Sequence, residues 1–188
     1  MKRICINCGS NIGLGDNYKT EAKQLGKLLA EKNISVVYGG ANVGLMGIIA
    51  DAALLEGGEV IGVIPKSIEA KVGHKGLSKL FIVESMHDRK NMMFELSDAF
   101  IAFPGGFGTL EEIFELLTWQ QLGLHNKPCG FLNINGYYNK LFDFIDYAVE
   151  HRFIKKEHSD MVIKANSIEI MLEQFSNFKV PFVEKWIK

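Results

Sequence analysis

Pro104-Gly105-Gly106-Phe107-Gly108-Thr109-Leu110-Glu111-Glu112 is the stretch that decides the fold of this chain. It follows an apolar, strand-like run over residues 99–103. It opens a segment of helical period marked by Ile113, Leu116, Leu117 and Gln120. A glycine-rich turn from a strand into a helix exposes unpaired backbone N–H groups at the positive end of the helix dipole. Such a terminus binds phosphate or carboxylate. The loop also carries Glu111 and Glu112, read here as lying in the first helical turn. Acids beside a bound anion do not help to hold it. They make sense if a carboxylate acts on something attached to the anion.

Outward from this loop the order of elements is regular. Strand-like runs at residues 2–8, 34–38, 59–64, 80–83, 99–103, 129–133 and 161–164 alternate with helical patterns at 16–33, 45–56, 86–96, 111–124, 138–151 and 167–174. Residues 66–78 are polar, contain glycine and read as a loop. Apolar strands alternating with amphipathic helices predict a single α/β domain spanning residues 1–188, a doubly wound, Rossmann-like parallel sheet covered on both faces. Ligands of such sheets sit beyond the carboxyl ends of the strands, where strand order reverses. Four segments should converge there: Gly9, Ser10 and Asn11; Gly39, Gly40 and Gly44; residues 84–90; and the loop at 104–112.

The familiar nucleotide loops are off register. A Walker A motif needs Gly-Lys-Ser/Thr, and neither glycine loop supplies the lysine. The dinucleotide fingerprint needs a third small residue, but counting from Gly106 and Gly108 that slot holds Glu111. The Gly39 loop also fails the spacing. A mononucleotide or sugar phosphate is the occupant that remains. Arg89 and Lys90 lie near the start of a helix, where the dipole disfavours cations, so an additional requirement must hold them there. An anionic ligand is one such requirement. His87 reads as a hydrogen-bonding neighbour, and the other histidines are scattered.

With 21 Lys and Arg against 22 Asp and Glu, the formal net charge is −1. That leaves no basic footprint for nucleic acid or an anionic membrane. No apolar run reaches the roughly 18 residues of a membrane span, and the N-terminus lacks signal-peptide features. A cytoplasmic protein is expected. The three cysteines are too few for a disulfide framework. Cys5 and Cys8 spell C-x-x-C within a strand, where residues three apart face opposite sides, so a core role is expected. No metal site is expected. The bulky face of Phe114, Leu117, Trp119 and Leu122 reads mostly as core, any exposed part being a candidate subunit interface, and the aromatic tail at 178–186 is suited to wrap either the core or a partner.

The chain resembles the LOG family, the cytokinin riboside 5′-monophosphate phosphoribohydrolases long labelled lysine-decarboxylase-like. Pro104-Gly105-Gly106-x-Gly108-Thr109-x-x-Glu112 matches the family signature. So do Cys8-Gly9-Ser10, Gly39-Gly40-Ala41-Asn42-Val43-Gly44-Leu45-Met46-Gly47, Met86-His87-Asp88-Arg89-Lys90 and Thr118-Trp119-Gln120-Gln121-Leu122-Gly123-Leu124-His125. The match runs in order over about residues 3–175. It implies a homodimer that needs no cofactor and cleaves the N-glycosidic bond of an adenosine-type 5′-monophosphate, N6-modified or AMP itself, to free base and ribose 5-phosphate, with Arg89 and Glu112 as the catalytic pair. Substrate contacts are expected from Ser10, Gly40, Glu84, Met86, Lys90, Gly105, Gly106, Gly108 and Thr109. Asn11 and Arg152 depart from the family pattern, where serine and glycine are common. The rival reading is a non-catalytic carrier of a nucleotide or of molybdenum cofactor on the same fold.

Overall fold

The structure is a computed structural model that describes residues 1–179. Seven strands form one all-parallel sheet: β1 (Arg3–Asn7), β2 (Ser35–Tyr38), β3 (Val60–Pro65), β4 (Lys79–Val83), β5 (Ala99–Ala102), β6 (Cys129–Leu132) and β7 (Ile163–Ala165). Their order is β4-β3-β2-β1-β5-β6-β7. The chain starts in the middle, works out to one edge, and returns to fill the other. The reversal therefore falls between β1 and β5, whose register pairs Cys5 with Phe100 and Asn7 with Ala102.

Both faces of the sheet are covered, which is why the strands read as continuous apolar runs. Ile4, Ile6, Val36, Ile101 and Phe103 point to one layer, built from α1 (Asn17–Glu31), α2 (Gly44–Leu55) and α8 (Ile168–Asn177). Cys5, Val37, Val63, Phe100 and Phe131 point to the other. There they meet α4 (Met86–Leu96), α5 (Phe107–Gln121) and α6 (Asn139–Glu150). The doubly wound fold is thus the one the periodicity predicts. Cys5 joins the second layer while Cys8 packs against the first, so C-x-x-C straddles the sheet as strand alternation requires. Burial pushes both thiols up, away from the reactive thiolate.

Three local readings need correction. Residues 66–78 are not all loop: Lys66–Val72 form a short helix, α3, with no buried residue and hence no apolar stripe for a sequence to reveal. Another short helix, α7 (Lys156–Asp160), has no counterpart among the sequence-based elements. Most consequential, α5 begins at Phe107 rather than Glu111. Gly108 lies inside the first turn, where position-specific glycine masked the helical signal. Glu111 and Glu112 therefore sit in the second turn, and the helix terminus itself carries no acid. The aromatic tail at 178–186 lies outside the described residues except for Phe178 and Lys179. Among the described residues no helix is long and apolar enough to cross a membrane.

Candidate active site

The crevice at the strand-order reversal is built by backbone contact between glycine loops. Gly9 donates its N–H to the Pro104 carbonyl at 3.0 Å, and the Gly9 carbonyl accepts from Leu45 N–H at 3.0 Å. A Cβ on Gly105 would lie 2.1 Å from Thr109 Oγ1 and 2.7 Å from Gly9 N. A Cβ on Gly44, whose φ is +56°, would lie 2.2 Å from the Ser10 carbonyl carbon. These glycines are required by close approach, not by flexibility. Gly106 and Gly108 differ, since nothing lies within 4 Å of a Cβ built on either. They form the open lip of the α5 N-terminus, which has no side-chain cap. The unpaired N–H groups of this first turn face that opening with the positive end of the dipole. Gly105→Ala should therefore lower the unfolding midpoint, costing about 1–3 kcal/mol as overpacking does. Gly106→Ala should cost far less, and thermal denaturation of the two variants checks the contrast.

Arg89 reaches this crevice from the far edge of the sheet. Ser85 and Asp88 form a capping box that fixes the start of α4. The helix then crosses beneath β3, β2 and β1 and carries Arg89 inward. Its Nε donates to the Val63 carbonyl at 3.3 Å, and its Nη1 donates to Glu112 Oε1 at 2.6 Å. Both partners are nearly buried, with side-chain exposures of 10% and 13%. A Cβ on Gly39 would fall 2.2 Å from Arg89 Nη2, so that glycine makes room for the guanidinium. Burial raises the Glu112 carboxyl above the usual carboxylate range, and the Arg89 guanidinium pulls it back in part.

Lys90 is held by α5 as well, donating to Glu111 at 2.5 Å and to Glu115 at 3.0 Å. Burial works against its ammonium, but the two carboxylates outweigh that and raise its pKa. The two bases near the start of α4 are thus accounted for by three acids of α5. A pyridoxal-dependent decarboxylase would need an uncharged lysine amine to bond the cofactor. A lysine held charged between two acids does not fit that role.

The remaining expected contacts spread around the crevice. Ser10, Glu84 and Met86 are exposed. Thr109 is buried beneath Gly105 and does not stand out in solvent. Gly40 is buried, with φ +71°, and its carbonyl accepts from His74 N–H at 2.8 Å. The glycine against Arg89 is its neighbour, Gly39. His87 is exposed. No group of three or more His, Cys, Asp or Glu suited to a metal occurs among the described residues. Sequence reasoning missed Tyr137, whose hydroxyl donates to the Gly105 carbonyl at 2.7 Å. The Asn135-Gly136 turn ahead of a tyrosine pair was the available signal.

An all-parallel sheet that reverses its order beside an open, glycine-lipped helix terminus defines a Rossmann-like α/β protein, and a terminus of this kind is suited to an anion. The profile of the family described as "Possible lysine decarboxylase" matches residues 46–175. A cytokinin riboside 5′-monophosphate phosphoribohydrolase of Arabidopsis thaliana is 46% identical over 186 residues, covering 98% of this chain and 87% of that protein. One from Rhodococcoides fascians is 49% identical over 170 residues, covering 89% of this chain and 86% of that protein. The chain belongs to this family, the LOG family. Among solved structures, the molybdenum cofactor binding protein of Rippkaea orientalis superposes with a TM-score of 0.71 at 25% identity, covering 94% of this chain and 97% of that one. The molybdenum cofactor carrier protein of Chlamydomonas reinhardtii gives 0.69 at 19% identity, over 94% and 99%. The latter likeness is one of fold alone.

Proposed function

We propose that the protein hydrolyses the N-glycosidic bond of adenosine-type nucleoside 5′-monophosphates, releasing the free base and ribose 5-phosphate. The observation that carries this reading is the buried Arg89–Glu112 pair one helical turn behind the open terminus of α5. From Phe107 to Glu112 the helix rises by about 7.5 Å, a little over one turn, so the carboxylate lies behind the terminus and not at it.

Cleavage builds positive charge on the ribose, as in glycoside hydrolysis generally. A carboxylate held in a site of low polarity stabilises that charge strongly. Glu112 serves this role and takes a proton from the attacking water. The water oxygen bonds to the anomeric carbon, the bond to the base nitrogen breaks with its electron pair leaving on the base, and a proton goes to the base. Gly106 and Gly108, with the free N–H groups of the first turn of α5, hold the phosphate. Arg89 keeps Glu112 ionised and in place. The phosphate is remote from the broken bond, so its binding energy positions the sugar for reaction. Nucleosides without phosphate should therefore lose turnover as well as affinity.

Similarity to carriers of molybdenum cofactor supports a second reading, but a carrier has no need of a buried carboxylate behind its anion loop. Incubation with AMP and with N6-isopentenyladenosine 5′-monophosphate separates the two. Release of base and ribose 5-phosphate is expected, and binding without release would transfer the assignment to a carrier. We also propose a homodimer working in the cytoplasm. Leu122 and Leu124, just past α5, are 42% and 67% exposed, and Ile82 on the edge strand β4 is 55% exposed. Light scattering that returned a monomer would overturn the dimer.

A further inference from the structure

Every carbonyl in the segment leading into the anion-binding terminus is already occupied. The Phe103 carbonyl accepts from Tyr138 Oη at 2.9 Å. The Pro104 carbonyl accepts from Gly9 N–H at 3.0 Å. The Gly105 carbonyl accepts from Tyr137 Oη at 2.7 Å. A free carbonyl turned toward the opening would repel an anion, and each of these three is engaged by a donor of the protein itself. Only N–H groups are then left to face a ligand.

The two phenols come from one unusual turn. After β6 the chain passes through a short 3-10 turn at Ile134–Gly136 in which Asn135 has φ +53° and Gly136 has φ +71°. A left-handed conformation is costly for a residue other than glycine, so surrounding contacts must impose it. The Asn133 side chain does so, accepting from Tyr138 N–H at 2.7 Å and donating to Asn139 Oδ1 at 2.8 Å. The turn sends two successive tyrosines back over the loop. Tyr138 is buried in the core and its ring packs on Phe131. Tyr137 is 45% exposed, and its ring is steadied edge-on by Tyr18 at 5.9 Å.

We propose that Tyr137 is a positioning residue for the anion site: its hydroxyl fixes the Gly105 carbonyl away from the ligand and so sets the affinity for the phosphate group. This rests on the phosphate assignment made for the α5 terminus above. Tyr137 touches the loop and need not touch the base or sugar. Its contribution therefore falls on phosphate-bearing ligands alone.

Tyr137→Phe keeps the ring and its contact with Tyr18 and removes only the hydroxyl. Loss of one neutral hydrogen bond should weaken binding roughly three- to tenfold. The probes are inorganic phosphate and ribose 5-phosphate, followed by 31P NMR titration, with adenine titrated alongside by calorimetry. The expected result is weaker binding of both phosphates, unchanged binding of adenine, and a kcat/KM for nucleotide lowered by a similar factor. Unchanged phosphate binding in the variant would overturn the inference. Equal weakening of adenine and phosphate would also overturn it, because a general loosening of the fold moves both. If the unaltered protein binds neither phosphate, the assignment of the α5 terminus fails instead, and that outcome is read before any variant is compared.

Discussion

Replacing Glu112 by Gln should lower kcat by about a hundredfold or more, which corresponds to roughly 2.7 kcal/mol of lost transition-state stabilisation. Glutamine has the same shape and still offers an oxygen to Arg89 Nη1, which now bonds Glu112 Oε1 at 2.6 Å. The substitution removes only the charge and the capacity to take a proton. Both matter in the transition state and little in the ground state, so the loss should appear in kcat rather than in nucleotide affinity. Stability should fall as well: the neutral side chain relieves the desolvation of a buried carboxylate, but it leaves the nearly buried Arg89 guanidinium without its counter-charge, a loss of about 3–5 kcal/mol as for any broken buried pair. Steady-state kinetics with AMP, the affinity for ribose 5-phosphate and the unfolding midpoint together test the point. A variant within threefold of wild type in kcat would remove Glu112 from the chemistry and leave the α5 terminus as a binding site only.

Much of this site was legible in the residues because its logic is local. The strand–glycine–helix order at 99–112 pointed to an open helix terminus, and the alternation of elements placed it at a strand-order reversal. The positions of Arg89 and Lys90 against a helix dipole showed that something must compensate them. The sequence did not show that the compensation comes from Glu111, Glu112 and Glu115 across an interhelical gap. That pairing depends on how α4 crosses the sheet, which no spacing encodes. The start of α5 was misread by one turn because Gly105, Gly106 and Gly108 look alike in sequence while serving different ends. Gly105 is there for close approach, whereas Gly106 and Gly108 border open space. Tyr137 escaped notice because its role depends on two left-handed residues, Asn135 and Gly136, that bend it back 32 positions in sequence to Gly105.

Replacing Arg89 by Met should combine a large loss of activity with a displaced pH profile. Two opposing influences act on the Glu112 carboxyl: burial raises its pKa, and the Arg89 guanidinium lowers it. Without Arg89 the main lowering influence is gone, Lys90 remaining as a lesser one, and the pKa rises further. The reaction needs the ionised carboxylate, which is present above its pKa and lost as pH falls through it. The acid limb of kcat/KM, which reports the free enzyme, should therefore move to higher pH in the variant. Arg89→Lys keeps the positive charge but offers a single point of contact where the guanidinium spans Glu112 and the Val63 carbonyl. Its acid limb should stay near that of wild type while kcat falls. Stability follows the same linkage. A carboxyl whose folded pKa lies above its unfolded value favours folding at low pH and loses that contribution as pH rises through the folded value. Arg89→Met should thus be destabilised at neutral pH, by about 3–5 kcal/mol as for a broken buried pair, and the deficit should shrink on acidification. Unfolding midpoints of the two variants across the acid range, set beside their rate profiles, give the decision. An acid limb that does not move in Arg89→Met would show that Arg89 acts on the substrate and not through Glu112.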